Sequence, residues 1–329
     1  MSARPVRATF HDFAPEPESF RDCVIAGLSQ RQKEIPCRFL YDERGSELFE
    51  AICETPEYYP TRTETAILDG CADEIAALMG SHCQLVEFGS GSSRKVRLLL
   101  SAFDKPSSYV AIDISREALQ QAADDVAVLF PKIDVRAVCA DYMAPLDLAD
   151  IPQPKEGRRL GFFPGSTIGN LDRPGAIQFL RRCRDVVGPN GAMLVGVDLK
   201  KDARLLHAAY NDAAGVTASF TMNLLTRMNR ELDADFDLTK FMHDASYNPV
   251  EGKVEIFIRS LADQIVTIAG QRFHFRRGEG IHTEDSCKYS VAEFQSLASR
   301  AGFASSRAWT DPGQLFSIHL LTPSGNKRA

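Results

Sequence analysis

The sequence lacks the features that announce membranes, metals or nucleic acids. No run is long and apolar enough to cross the hydrocarbon core of a bilayer. The N-terminal stretch MSARPVRATFHDFAPEPESF lacks the apolar region of a secretory signal, so a cytoplasmic location is the expectation. Its eight cysteines (Cys23, Cys37, Cys53, Cys71, Cys83, Cys139, Cys183 and Cys287) are scattered, with no CxxC pair and no clustered histidine partner. Metal centres and disulfide frameworks need tighter spacing, so reduced thiols and no metal are expected. Only Cys287 stands among chemically loaded neighbours. The net charge of −6 lacks the basic surplus of a nucleic-acid binder. Internal repeats and low-complexity stretches are also missing, and the tail SGNKRA is expected to fray.

With 44% hydrophobic residues over 329 positions, the chain can build one large core or two smaller ones. Short apolar runs alternate with helical stretches. QLVEFG, SYVAIDIS, DVRAVCADY, RLGFF and AMLVGVDL read as buried strands, and helical sequence follows the first two and precedes the last. That rhythm predicts an α/β fold with a parallel sheet and crossover helices. The rhythm breaks near Lys201, where one long helical stretch, DARLLHAAYNDAAGVTASFTMNLLTRMNREL, is followed by the strand-like VEIFIRSL, QIVTIAG and QRFHFRRG. After Tyr289 a helix and a hairpin turning at Pro312–Gly313 return to the sheet. The segment before about Arg62 reads as helical and loop-like, and is expected to join the insertion in a second domain.

The glycine loop GSGSSR follows the first strand, with Gly89 and Gly91 placed for close backbone approach to a ligand at a helix start. Arg94 stands where a dinucleotide fingerprint wants glycine, and no GxxxxGK[ST] loop is present. Asp113 at the end of the second strand suits a ribose diol, and Asp141 with Tyr142 in CADY suits an adenine amino group and ring face. Together they point to S-adenosylmethionine, with Glu87 facing its methionine end. Taken one at a time, such strand-end aspartates could equally cap turns.

In an extended GIHTEDSCKY, alternate side chains share a face, so His282, Glu284, Ser286 and Lys288 are expected to point one way. Four stretches, FLYDERGSELFEAICETPEYYPTRTE, EFGSGSSRK, FFPGSTIGN and TEDSCKY, carry a resemblance over about Phe20 to Thr322. The sequence resembles the hercynine-forming L-histidine Nα-methyltransferases of ergothioneine biosynthesis.

The resemblance implies a Rossmann-type methyltransferase sheet with helices on both faces (63–200 and 288–325) and an α+β substrate-binding domain (13–62 and 201–287). It implies trimethylation of the histidine α-amine by S-adenosylmethionine. Tyr41 would lie near that amine as the catalytic residue, with Tyr58 beside it. Asn170 and Tyr210 would hold the substrate carboxylate, Glu284 and Ser286 the imidazole. Gly89, Lys95, Asp113, Asp141 and Tyr142 would meet the cofactor. The chain departs at Tyr142, where the family often has Phe, and at His282, where an Arg is expected. Asp172 is available to cap the next helix, which frees Asn170 for substrate. Tyr59 and His207 read as structural or exposed. A monomer is expected, with no nucleic-acid or membrane partner. Two alternatives stay open: an Nα-methyltransferase for another aromatic amino acid such as tryptophan or a derivative, and a non-catalytic S-adenosylmethionine-binding protein.

Overall fold

The computed structural model describes residues 8–13, 19–91, 93–144, 151, 154 and 156–325. Ser92 of the glycine loop and the last four residues of the tail lie outside the described residues. Strand β1 (Thr9–Asp12) opens the described chain, followed by helices α1 (Phe20–Leu28), α2 (Glu43–Glu54) and α3 (Tyr59–Met79). Strands and helices then alternate: β2 (Gln84–Phe88), α4 (Arg94–Ala102), β3 (Ser108–Asp113), α5 (Arg116–Leu129), β4 (Asp134–Cys139), β5 (Arg159–Phe163), α6 (Arg173–Val187) and β6 (Ala192–Asp198). Helices α7 (Ala203–Tyr210) and α8 (Val216–Glu231) precede strands β7 (Phe241–Asn248), β8 (Lys253–Ser260), β9 (Gln264–Ile268), β10 (Gln271–Phe275) and β11 (Gly280–Cys287). Helix α9 (Val291–Arg300) and strands β12 (Phe303–Thr310) and β13 (Phe316–Pro323) close the chain. Two compact units result. The first takes the residues before 17, Arg62–Leu199 and the chain from Tyr289 on; the second takes the described part of Pro17–Thr61 with Lys200–Lys288.

The first unit holds a sheet in the order β1-β4-β3-β2-β5-β6-β13-β12. All its pairings are parallel except those of β13, which runs antiparallel to β6 and β12. The central strands read as unbroken apolar runs because both their faces are buried. Leu68 and Ile75 of α3, Val96 and Leu99 of α4 and Leu119 and Val126 of α5 pack with Leu85, Ala111 and Phe162 of the sheet. From β2 the chain builds outward through β3 and β4, then returns to β2's other side with β5. The carboxyl ends of β2 and β5 therefore mark the switch point where such sheets bind ligands. Asp172 accepts from the Gly175 amide at 2.8 Å and so caps α6. Ser290 and Glu293 close a reciprocal capping box on α9.

The second unit holds an antiparallel sheet ordered β11-β8-β7 and a β9–β10 hairpin. The hairpin turns through Ala269 and Gly270, both at positive φ (49° and 80°), the twist that a two-residue connection favours. Its core joins Val24 and Leu28 of α1, Leu48 of α2, Phe220 and Leu224 of α8, and Phe241, Ile258, Phe275 and Ile281 of the strands.

Three sequence-based expectations change. The N-terminal segment is not wholly helical and loop-like: β1 adds a parallel edge strand beside β4. The single long helix after Lys201 is two, because Asp212 accepts from the amides of Val216 (2.8 Å) and Thr217 (2.7 Å) and starts α8 afresh. The third concerns GIHTEDSCKY. Between His282 and Glu284 the register against β8 slips by one residue, His282 lying opposite Phe257 and Glu284 opposite Ile256. Such a bulge puts two residues against one and switches the faces that follow. His282 consequently shares its face with Asp285, to which its Nε2 is bonded at 2.8 Å, and not with Glu284.

Candidate active site

At the end of β2 the chain turns through Gly89 at φ 78°, a left-handed backbone that favours glycine. A Cβ there would stand 3.7 Å from the Tyr142 ring, an ordinary contact, so the backbone angle and not crowding calls for glycine. Gly89 and Tyr142 are thus neighbours. The Tyr142 ring meets Phe163 and Phe179 edge-on, each with centroids 5.8 Å away. Asp113 and Asp141 each accept from the amide two residues ahead, Ser115 and Met143, both at 2.8 Å. Both therefore do the local turn work that strand-end aspartates often do.

Asp113 is also buried enough that desolvation pushes its carboxyl up to about 6, against the pull of its backbone donors. Glu87 is fully enclosed; burial pushes it up to about 7 although the Tyr109 hydroxyl donates to it at 2.5 Å. Lys95 directs its ammonium to Glu64, a carboxylate of α3 with no exposure, which also accepts from the Gly165 amide at 2.9 Å. A Cβ at position 196, on β6, would meet Glu64 Oε1 at 2.0 Å. Asn170 ends a short 3-10 turn, Thr167–Asn170, and is half-buried. That turn begins at Ser166, a non-glycine residue at φ 57° whose hydroxyl accepts from the Asp198 amide at 2.9 Å.

In the second unit the other expected residues form one chain of contacts. Tyr41 follows the 3-10 turn Cys37–Leu40 and meets Phe49 (5.5 Å) and Phe220 (5.3 Å) edge-on. Phe49 meets Tyr58 at 6.4 Å, and Tyr58 meets Tyr210 at 6.3 Å. The Tyr210 hydroxyl donates to Ser286 Oγ at 2.8 Å. Lys288 Nζ donates to that hydroxyl at 2.8 Å and to Ser286 at 2.7 Å, with Lys288 only 2% exposed. Glu284 precedes Ser286 by two residues on the same face of β11, past the bulge. Burial pushes the Cys37 thiol up to about 12, and the nearby charge of Glu284 pushes the same way. Cys37 is thus an inert thiol beside Glu284.

Tyr41, Tyr58, Tyr210, Glu284 and Ser286 accordingly belong to the second unit, whereas Asn170 stands with Gly89, Lys95, Asp113, Asp141 and Tyr142 in the first. Tyr59 is buried, its hydroxyl accepting from Lys201 at 2.5 Å, and His207 is exposed. Sequence reasoning left Glu64 and Lys288 without a role. Lys288 was within reach, since it alternates with Glu284 and Ser286; nothing local marks Glu64 on its helix. Among the described residues no group of His, Cys, Asp and Glu could hold a metal ion, and no helix is long and apolar enough to cross a membrane.

A doubly wound sheet with a glycine turn after its first central strand and carboxylates closing the next two defines a Rossmann-type methyltransferase. Comparison narrows the class. Residues 20–323 match the family described as "Histidine-specific methyltransferase, SAM-dependent", and the chain belongs to that family. It is 40% identical over 308 residues to the histidine N-alpha-methyltransferase of Mycolicibacterium smegmatis, spanning 92% of this chain and 94% of that one. The histidine N-alpha-methyltransferase of Mycobacterium tuberculosis is 38% identical over 307 residues, with 92% and 94% covered. Ergothioneine biosynthesis protein 1 of Neurospora crassa is 34% identical over 298 residues, 89% of this chain but 33% of that longer protein.

Proposed function

We propose that this protein transfers methyl groups from S-adenosylmethionine to the α-amino nitrogen of L-histidine, three in succession, forming hercynine for ergothioneine biosynthesis. The reading is carried by the face of β11, where Glu284 and Ser286 stand at one end of an aromatic chain running through Tyr210 and Tyr58 to Tyr41. Membership of a histidine-specific family supports it.

The first unit's residues fit the methyl donor. Gly89 opens the backbone for close approach, and the half-buried Asp113 carboxyl suits the ribose hydroxyls. Asp141 would accept from the adenine amino group and Tyr142 would cover its ring. Lys95, held by Glu64, would supply positive charge near the methionine carboxylate. S-adenosylmethionine, when bound, supplies an activated methyl on a positively charged sulfur.

The protein's own task is to present a neutral amine in line with that methyl. Holding two reactants in near-attack geometry can remove about 7–11 kcal/mol of barrier. Tyr41 orients the amine, and the departing proton passes to water. As methyl groups accumulate, the nitrogen becomes a permanent cation with fewer hydrogen bonds to offer. The faces of Tyr41 and Tyr58 tolerate it through cation–π attraction of about 1–2 kcal/mol each. Asn170 takes the substrate carboxylate. Tyr210 is expected to share that role, and its hydroxyl also donates to Ser286.

The test is incubation with S-adenosylmethionine and each standard amino acid, followed by mass spectrometry. Stepwise gain of three methyl groups by histidine alone is the expected result. Turnover of tryptophan in place of histidine would move the substrate assignment, and turnover of no amino acid would overturn it.

A further inference from the structure

The triangle of Tyr210, Ser286 and Lys288 has a hydrogen-bond polarity that follows from counting protons. A buried ammonium has only donors, and Lys288 gives one to each hydroxyl oxygen. The Tyr210 hydroxyl then donates to Ser286. Ser286 Oγ therefore accepts from both neighbours, and its one proton is left to give away. A site flanked by Lys288 must donate here.

We propose that Lys288 is a specificity-determining positioning residue: by holding the Tyr210–Ser286 pair as a donor beside the acceptor Glu284, it selects the neutral, one-donor one-acceptor form of an imidazole. The inference rests on the imidazole reading of β11 and deepens it. Glu284 accepts from the ring N–H, while Ser286 donates to the unprotonated ring nitrogen. An imidazolium has two N–H groups and no acceptor, so it would leave Ser286 facing a donor and bring a cation toward Lys288. An indole has one N–H and no acceptor, so it would satisfy Glu284 and strand the Ser286 proton. A buried donor without a partner is heavily penalised, which makes the pair a filter against both. Among the described residues, the ionisable groups near this face include Glu284 on β11, Tyr210 on α7, Tyr58, Cys37 and His243 of β7, whose Nε2 meets the Tyr210 carbonyl at 2.9 Å. Burial pushes His243 below its ordinary range, so it stays neutral and adds no competing cation near neutral pH.

The experiment is calorimetric binding of histidine and of tryptophan to the full-length protein between pH 5 and 8, with and without Lys288→Met, a change of similar length that removes donors and charge. The unaltered protein should lose histidine affinity about tenfold per pH unit below the imidazole's ordinary value of about 6.5. Lys288→Met should bind histidine about tenfold more weakly at pH 8, flatten the fall below pH 6.5 and narrow the preference over tryptophan. A merely structural lysine would lower affinity without changing the shape of the pH profile. Should Lys288→Met fail to fold, Ser286→Ala removes the donor directly and should narrow the same preference. An unchanged pH profile and preference in either variant overturns the inference and leaves the imidazole reading standing. Glu284→Ala, which removes the acceptor, distinguishes the two: if it leaves histidine affinity unchanged, the imidazole reading fails and takes this inference with it.

Discussion

Carboxylic acids meet opposite conditions in the two units. At the strand ends of the first, burial lifts Glu87 to about 7 and Asp113 to about 6. In the second, burial also pushes Asp42, Asp212, Glu279 and Asp285 upward, but their partners outweigh it and hold all four below the ordinary carboxylate range. Asp42 has Arg230, Asp212 has the start of α8, Glu279 has Lys33, and Asp285 has His282 and Lys253. Acids of the second kind are committed to the fold. For those of the first kind desolvation outweighs the donors they have.

The sharpest way to break this comparison is a pair of substitutions, one per unit. Glu284→Ala should weaken histidine binding by about ten- to a hundredfold and leave S-adenosylmethionine affinity within about twofold. Asp113→Asn should do the reverse. Calorimetry with each ligand reads both, and equal loss of both ligands in either variant would mean that the residue serves the fold. Next in size is the pH dependence of stability. Glu87 is raised in the folded state, so its contribution is present below about pH 4.5 and lost as pH rises through about 7. His319 of β13, pushed down to about 4 by burial, acts oppositely and loses stability as pH falls below about 6.5. Comparing the protein with Glu87→Gln cancels His319. The variant should gain on the order of 3 kcal/mol relative to the parent between pH 4.5 and 8, read from urea unfolding. A constant difference would show that Glu87 does not titrate there. The smallest effect belongs to His282→Ala. Because the bulge turns His282 to the Asp285 face, histidine affinity should change by less than about threefold, with about 0.5–1 kcal/mol of stability lost. A tenfold loss of affinity would place His282 in substrate recognition after all.

The large sheet was legible because strands buried on both faces must be apolar throughout, and because they end in Gly89, Asp113 and Asp141, residues that turns demand. β1 was not, since TFHD is too short and mixed to show a period. The break between α7 and α8 hid inside good helical sequence. The bulge in β11 has no local cause: His282 pairs by its backbone with Lys33 (2.8 Å) and Ile35 (2.9 Å) as well as with β8. Strand alternation alone therefore put His282 on the wrong face. In the site, the strand-end acids could be argued from position. Tyr41, Tyr58 and Tyr210 came only from resemblance, because a tyrosine on a helix or turn usually signals packing. Glu64 had no signal, since its partners Lys95 and Gly165 are distant in sequence.

The contact between Glu64 and the backbone at Gly196 bears on the order in which this chain can change. With Glu64 in place, any side chain at 196 runs into its carboxylate, so the glycine is trapped. Shortening Glu64 would relieve position 196 but would strip the partly exposed Lys95 ammonium of its carboxylate and Gly165 of its acceptor. Each single step breaks or crowds a contact that the other residues make, whereas a coordinated change at 64, 95 and 196 can avoid that. Three residues far apart in the chain thus form a ratchet, and a mutational scan should find them intolerant one at a time and permissive only in combination.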